Sequence, residues 1–304
     1  MSQQIAITGA TGMVGTALTE SLVKAGHQVT TMRRGTTQKD GSDLYWDPLN
    51  AGICDPAAAT GIDAIVHLAG ESIAGGRWTA ALKERIRSSR IEATRNLVGS
   101  LSKLKTPPTT LVCASAIGYY GDRGADELTE ESPRGEGFLA DVCNDWEAEA
   151  AVAEELGIRV VTVRIGVVLS PKGGALSKML TPFRLGAGGN VGNGNQYWSW
   201  IGLHDLVRIL VEAVTNSDIN GVINAVSPNP MTNRDFTKVL GKVLKRPTIF
   251  PLPAFVAKVV LGEMADALLL SSSRVIPQTL ARTGFRFDHA ELESCLRHEL
   301  QLPG

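Results

Sequence analysis

Three glycines near the start of the chain carry the clearest chemistry. Gly9, Gly12 and Gly15 stand in the run Gly9-Ala-Thr-Gly12-Met-Val-Gly15, between a short apolar segment, Ile5–Thr8, and a segment of helical spacing, Val14–Ala25. In that setting each glycine has a task. Gly9 permits a tight turn, Gly12 lets the backbone approach a pyrophosphate, and Gly15 lets helix and strand pack closely. The helix start presents unsatisfied N–H groups and the positive end of its dipole to phosphate oxygens. A glycine trio alone is weak evidence. Between a strand and a helix it reads as a dinucleotide-binding turn, against the plainer alternative of a turn that only packs a helix on a sheet.

The next residues refine the ligand. The second strand, Gln28–Met32, runs into Arg33 and Arg34, about 20 residues beyond the turn, where an NAD site places a carboxylate against the ribose 2′-hydroxyl. Two guanidinium forks there suit a 2′-phosphate, so NADP(H) is expected over NAD(H). Leu68-Ala69-Gly70 closes a third strand, Ala64–Leu68, with a small-residue turn at a sheet edge where ligands bind. Glu71 follows it as a candidate substrate-binding carboxylate, its plain reading being a solvated loop acid. Arg90 lies where a cation can reach a phosphate. His67, inside an apolar strand, reads as a core histidine, and His204-Asp205 as a helix start.

These residues need elements to hold them. Further strands read at Thr109–Ala114, Arg159–Arg164 and Val222–Val226, and helices at Thr79–Leu104, Asp141–Leu156 and Asp205–Val214. Strands alternating with helices give a parallel sheet with right-handed crossovers. The expected fold is α/β, a Rossmann-type doubly wound parallel sheet with a small, mostly helical C-terminal lobe. Residues 1–170 form the nucleotide-binding domain, with sheet elements returning at about 200–227. Residues 171–304 supply the glycine-rich loops around Gly186–Gly194 and a small substrate or tail lobe. Trp78, Tyr197, Trp198 and Trp200 flank loops placed either to roof a cleft or to anchor that lobe.

Composition sets the outer limits. The chain has 304 residues, a net charge of −1, 43% hydrophobic and 20% charged residues. That is a composition able to bury a sizeable core. The charge lacks the basic footprint of a nucleic-acid binder. No run of roughly 18 apolar residues is present, so no membrane partner is expected, and the start MSQQIAITGATG is not a secretory signal. Four scattered cysteines (Cys54, Cys113, Cys143, Cys295) form no CxxC pair, which fits reduced thiols in the cytoplasm and no metal site.

Together with the turn, several longer motifs resemble an extended short-chain dehydrogenase/reductase. More narrowly, the chain is similar to the atypical subfamily known as epimerase family proteins. The matching residues are GATGMVG (9–15), LAGESIAGGRW (68–78), SSRIEATRNLV (88–98), SAIGYYGD (115–122), DWE (145–147), RIGVVLSPKGGALSKMLTPFRLGAGG (164–189) and WIGLHDL (200–206). The segment GEMADALLLSSSRVIPQTL with GFRF (262–287) resembles that subfamily's small tail domain of unknown function. The resemblance implies an NADP-binding Rossmann domain. It also implies cofactor contacts from Gly9, Thr11, Gly12, Met13, Val14, Arg33, Arg34, Leu68, Ala69, Gly70 and Arg90.

The same resemblance exposes a departure. Its superfamily uses a Ser or Thr, a Tyr, and a Lys four residues later to exchange a proton while hydride moves. Ser115 matches the first position. The segment after TEESP (129–133) reads Phe138-Leu-Ala-Asp-Val142, which offers neither phenol nor ammonium. Tyr119 is the candidate substitute donor, and Tyr120 reads as structural. Three functions follow: an NADP(H)-dependent oxidoreductase of unknown small-molecule substrate with atypical proton chemistry; a cofactor-binding regulator without turnover; and a nucleotide-sugar-type epimerase, against which Phe138, Val142 and the arginine pair count. Relatives of this kind pair through long helices flanking the sheet, so a homodimer is expected.

Overall fold

The computed structural model describes residues 2–36 and 43–303. Eight strands form one sheet: β1 (Gln4–Thr8), β2 (Gln28–Arg34), β3 (Leu44–Asp47), β4 (Gly52–Ile53), β5 (Ala64–His67), β6 (Thr110–Ala116), β7 (Arg159–Ile165) and β8 (Gly221–Ala225). Their order is β8-β7-β6-β5-β1-β2-β3-β4. All neighbours are parallel except the edge pair β3 and β4. The order reverses between β1 and β5, so the carboxyl ends of these two strands diverge into a crevice of the kind that holds ligands in open α/β sheets.

Alternation along the strands explains the layers. Ile5, Ile7, Val66, Val112, Val161 and Val163 pack toward α1 (Met13–Lys24) and, later in the chain, α6 (Leu203–Thr215). Ala6, Ile65, Leu111 and Cys113 pack the opposite way, toward α3 (Ile91–Leu101) and α4 (Phe138–Ala151). Both faces are covered, which is why these strands read as continuous apolar runs.

The helix expected over Thr79–Leu104 is two helices, α2 (Ala80–Ser88) and α3. The break falls at Ser89 and Arg90. There the Ser89 hydroxyl accepts the Glu71 N–H at 2.9 Å, so the interruption is fastened to the turn after β5. The helix expected at Asp141–Leu156 starts earlier, at Phe138, and tightens into a 3₁₀ turn over Val152–Leu156. The short strands β3 and β4 lie beyond Arg34, where no periodicity announced them.

The helices α5 (Gly174–Arg184), α7 (Asn233–Leu244), α8 (Ala254–Leu261) and α10 (Leu292–Glu299) form the second lobe, while α9 (Gln278–Arg282) packs back on the sheet. Its core joins Leu176, Phe183, Trp198, Trp200, Phe236, Leu240 and Leu296. Trp200 is fully buried, and Trp78 and Trp198 nearly so, so these rings anchor the lobe and do not roof a cleft. Removing such a ring costs about 3–5 kcal/mol, far more than an exposed ion pair at about 0–1 kcal/mol. Apolar burial is therefore what holds the lobe together.

The lobe is also sewn to the sheet by the segment 271–276. Ser273 Oγ donates to Gly121 O at 2.7 Å, and Ser272 Oγ donates to Gly124 O. Ser199 Oγ donates to Ser273 O at 2.7 Å and accepts the Val275 N–H at 2.8 Å. Arg274–Val275 pairs in parallel with Glu127–Leu128. The chain then returns Leu280 of α9 to the core under the sheet.

Candidate functional site

At the end of β1 the chain turns through Gly9, whose φ of +69° favours glycine. A Cβ at Gly9 would stand 3.0 Å from Leu68 and Ala69 backbone atoms, so this turn lies directly against the turn after β5. A Cβ at Gly15 would stand 2.2 Å from Gly9 O, which forbids any side chain there. Gly12 occupies the N-cap of α1 with no side chain to satisfy the first helical N–H groups. The clearance around it is larger, a Cβ meeting Gly9 O at 3.3 Å. Gly9 and Gly15 thus serve packing, and Gly12 keeps the helix start open. Met13, in the first turn of α1, reaches Gly173 and Gly174 at the start of α5, so two helix N-termini face one region.

Thr8, buried at the end of β1, organises the β5 turn. Its Oγ1 accepts the N–H groups of Leu68 and Ala69 at 3.1 and 3.2 Å and bonds His67 Nδ1 at 2.7 Å. His67 Nε2 meets Thr94 Oγ1 at 3.1 Å. Burial, and then the charge of Arg90, depress the imidazole to about 4, so His67 is a neutral core residue that ties β1, β5 and α3. Since Thr8 consumes those two N–H groups, Leu68, Ala69 and Gly70 offer a ligand their small apolar surface and carbonyl edge.

Arg90 sits over that surface. Its guanidinium lies 3.2 Å from the position of a Gly70 Cβ, donates to Ile86 O at 3.2 Å, and stands 5.2 Å from the Trp146 ring. Burial lowers its pKa from the usual arginine value. Among the described residues it makes no ion pair. A largely buried cation without a carboxylate, beside an open helix N-terminus, suits an anionic ligand. Arg33 pairs with Asp43, and Arg34, next to it on β2, is exposed.

A buried polar chain lies at the end of β6. Ser115 Oγ donates to Glu147 Oε1 at 2.6 Å. Arg164 grips the same carboxylate twice, Nε to Oε1 at 2.9 Å and Nη2 to Oε2 at 2.8 Å. Arg164 Nη1 donates to the Tyr120 hydroxyl at 2.9 Å, which donates to Asn224 Oδ1 at 2.7 Å. The pair's side chains are only 4% and 12% exposed. Burial opposes the charge on Arg164, but the bonds and charge of Glu147, helped by Tyr120, outweigh it and raise its pKa. Burial pushes Tyr120 up to about 12. Tyr120 is thereby structural, while the Arg164 guanidinium carbon lies 3.4 Å from the centre of the Tyr119 ring.

The face of α4 turned toward this strand end carries Leu139, Cys143 and Glu147, spaced by four. A Cβ at Gly118 would touch Leu139 at 3.1 Å and the Cys143 sulfur at 3.8 Å. Phe138 points elsewhere, packing on Trp78 at 5.3 Å beneath the Lys83 ammonium. Val142 is buried. Neither spacing supplies a tyrosine followed by a lysine. Burial raises the Cys143 thiol to about 11, so it is an inert neighbour of Ser115.

Glu71 is half exposed and 3.8 Å from Arg85, and Lys178 Nζ donates to Ala74 O at 2.9 Å. Asp205 caps a loop, accepting the N–H groups of Asp288 and His289 at 3.0 Å each. With His204 and Asp288 it forms a cluster of ligating atoms within 4.8 Å. Arg208 already bridges both carboxylates at 2.9 and 3.2 Å, which makes the cluster an ion-pair network. Glu147, Arg164 and Asn224 escaped the sequence reading. The available signal was a charged residue at the last inward position of each of two buried strands or helices, DWE and VRI.

Comparison with known proteins places this arrangement. The sequence model of the NAD dependent epimerase/dehydratase family matches residues 5–225, and a domain of unknown function (DUF1731) matches residues 252–299. An epimerase family protein of Mycobacterium bovis is 40% identical over 300 residues, covering 99% of this chain and 98% of its own. The human epimerase family protein SDR39U1, crystallised with NADPH, superposes with a TM-score of 0.88 at 35% identity, over 98% of this chain and 99% of that one. A UDP-glucuronic acid 4-epimerase of Bacillus cereus shares the fold, with a TM-score of 0.76 at 18% identity over 98% of each chain. The resemblance carried by the motifs is borne out through the tail. With a glycine turn, sheet order and tail that all match, the chain belongs to the NAD dependent epimerase/dehydratase family.

Proposed function

We propose that the protein is an NADP(H)-dependent oxidoreductase acting on a small-molecule substrate. The observation that carries this reading is the cradle at the crevice: a helix start left open by Gly12, near a guanidinium, Arg90, that makes no ion pair among the described residues. A dinucleotide fits there because a side chain on Gly12 would fill the space in front of the helix start. The NADPH in the human relative supports the choice of cofactor. Gly9, Thr11, Gly12, Met13 and Val14 would hold the pyrophosphate, Arg90 a phosphate, and Leu68, Ala69 and Gly70 the adjoining ribose. Arg33 and Arg34 would take the 2′-phosphate.

When bound, the nicotinamide supplies or accepts hydride. The chain's own residues must then position the substrate oxygen and handle its proton. Ser115 Oγ donates its one hydrogen bond to Glu147, so its lone pairs are what it offers to a donor on the substrate. Tyr119, on the Arg164 guanidinium, is the phenol assigned to proton exchange, and Glu71 a substrate contact. The face Leu139, Cys143, Glu147 favours a second reading, an NADP(H)-binding regulator without turnover, because it lacks the usual acid–base pair.

NADPH deuterated at the transferable position separates the two. Loaded protein is mixed with a small-molecule cell extract, and products are searched by mass spectrometry. A labelled product absent from a Gly12→Asp control establishes the reductase and its substrate class. Bound cofactor with no labelled product sinks the reductase and leaves the regulator, or a reaction that returns its hydride to the cofactor.

A further inference from the structure

The outer face of the second lobe is apolar where a water-facing surface should be polar. In α8, Ala254, Ala257 and Leu261 turn inward, at i, i+3 and i+7, while Phe255 and Val259 point out at 70% exposure each and Val260 at 63%. The chain before the helix continues the patch. Ile249 is 71% and Phe250 60% exposed, and Phe250 N–H bonds Gly188 O at 3.2 Å, which brings Leu185, 79% exposed, alongside. A phenylalanine presents about 150–250 Å², so the two rings alone leave on the order of 250 Å² in water. With four aliphatic side chains added, the patch reaches the upper end of the roughly 300–600 Å² found for the largest patch of a monomer.

Cations rim it. Arg184, Lys245 and Arg246 are exposed beside Ile249, with Arg246 Nε donating to Arg184 O at 2.8 Å. Lys258, between Phe255 and Val259, is neutralised by Asp266, so the net positive charge of the rim comes from Arg184, Lys245 and Arg246. The nearby carboxylates Asp266 and Glu263 are already paired, with Lys258 and Lys83, at 2.8 Å each. A second copy of the chain docked on this face would set these cations against their own counterparts. Exposed apolar side chains surrounded by Arg and Lys match the boundary between anionic headgroups and acyl chains.

We propose that the face formed by α8 and residues 245–250 adsorbs to an anionic lipid surface. This goes beyond the expectation of no membrane partner, which rested on the lack of a spanning segment; no helix among the described residues is long and apolar enough to cross a membrane. The attachment is to the headgroup layer and reversible.

Vesicle flotation with the full chain tests it, using phosphatidylcholine alone or mixed with phosphatidylglycerol. The chain is expected to float with the anionic vesicles and to be released by salt. Phe255→Ser with Val259→Ser, and separately Lys245→Glu with Arg246→Glu, should each weaken binding by roughly 10-fold or more. All four positions are exposed, so thermal melts of both variants should stay near wild type. If one pair fails to fold, the other decides. Absence of flotation overturns the proposal, as does equal binding to neutral vesicles or binding unchanged in both variants. A concentration-dependent dimer in sedimentation, lost in the Phe255 and Val259 variant, gives the face to a second copy and also overturns it.

Discussion

Ser115 donates its only hydroxyl proton to Glu147 across 2.6 Å, and Glu147 is in turn held twice by Arg164. The serine is thereby fixed in one rotamer, with its lone pairs left for a partner. Removing Glu147 strands a buried guanidinium, which costs about 3–5 kcal/mol. Removing the serine hydroxyl loses one hydrogen bond, about 1 kcal/mol. Urea unfolding should therefore show Glu147→Ala far less stable than Ser115→Ala. Similar midpoints for the two would show that the ion pair does not brace this strand end.

Cofactor choice is expected to rest on Arg34 more than on Arg33, because Asp43 already holds Arg33. Hydrogen bonds to a charged group are worth about 1.5–3 kcal/mol. Arg34→Ala should weaken NADPH binding by roughly 10-fold or more and leave NADH binding nearly unchanged. Calorimetric titration with both nucleotides checks this, and equal losses for the two would remove the 2′-phosphate from the assignment.

The glycine turn separates packing from binding. Gly15→Ala places a methyl 2.2 Å from Gly9 O, and overpacking of this kind costs about 1–3 kcal/mol. Gly12→Asp has ordinary backbone angles and asks Gly9 O, at 3.3 Å, to give by only a few tenths of an ångström, so it should be far milder for the fold than Gly15→Ala. Its carboxylate would repel a pyrophosphate and abolish NADPH binding. A Gly12→Asp protein that folds and still binds NADPH would reduce the turn to a packing device.

Acid sensitivity should trace to His67. Its native value is about 4, depressed by burial, whereas the unfolded imidazole titrates near 6.5. Between these values the unfolded chain binds the extra proton, so stability is full above about pH 6.5 and falls as the pH drops toward 4. The loss across that window is on the order of 3 kcal/mol. His67→Gln should be less stable at neutral pH but flatter across the window, which denaturation at stepped pH reads directly.

The backbone geometry of the glycine turn and the run of β5 were legible because their signals are local. The trio Gly9, Gly12, Gly15 sits within one turn, and Ala64–Leu68 is a continuous apolar run, so backbone need and burial can be read without knowing neighbours. Arg90 was visible as a cation, but that it makes no ion pair among the described residues was not. The chain Ser115, Glu147, Arg164, Tyr120, Asn224 joins residues up to 109 positions apart. The pairing of β6 with β7, the pairing of β7 with β8 and the packing of α4 bring them together. The break at Ser89 was hidden for the same reason: both halves of Thr79–Leu104 keep helical spacing, and what interrupts them is a tertiary bond to Glu71.

The serines at 272 and 273 give the chain a property that a two-lobe outline conceals. They bind backbone from the first lobe, and Leu280 then rejoins the first lobe's core. The last quarter of the sequence is therefore a returning thread and not a detachable module. A gene cut after residue 250 would encode a sheet missing the Ile276 carbonyl that Asn224 needs and the apolar plug beneath β8. Recombination between relatives should tolerate exchange of both lobes together and reject a crossover between them.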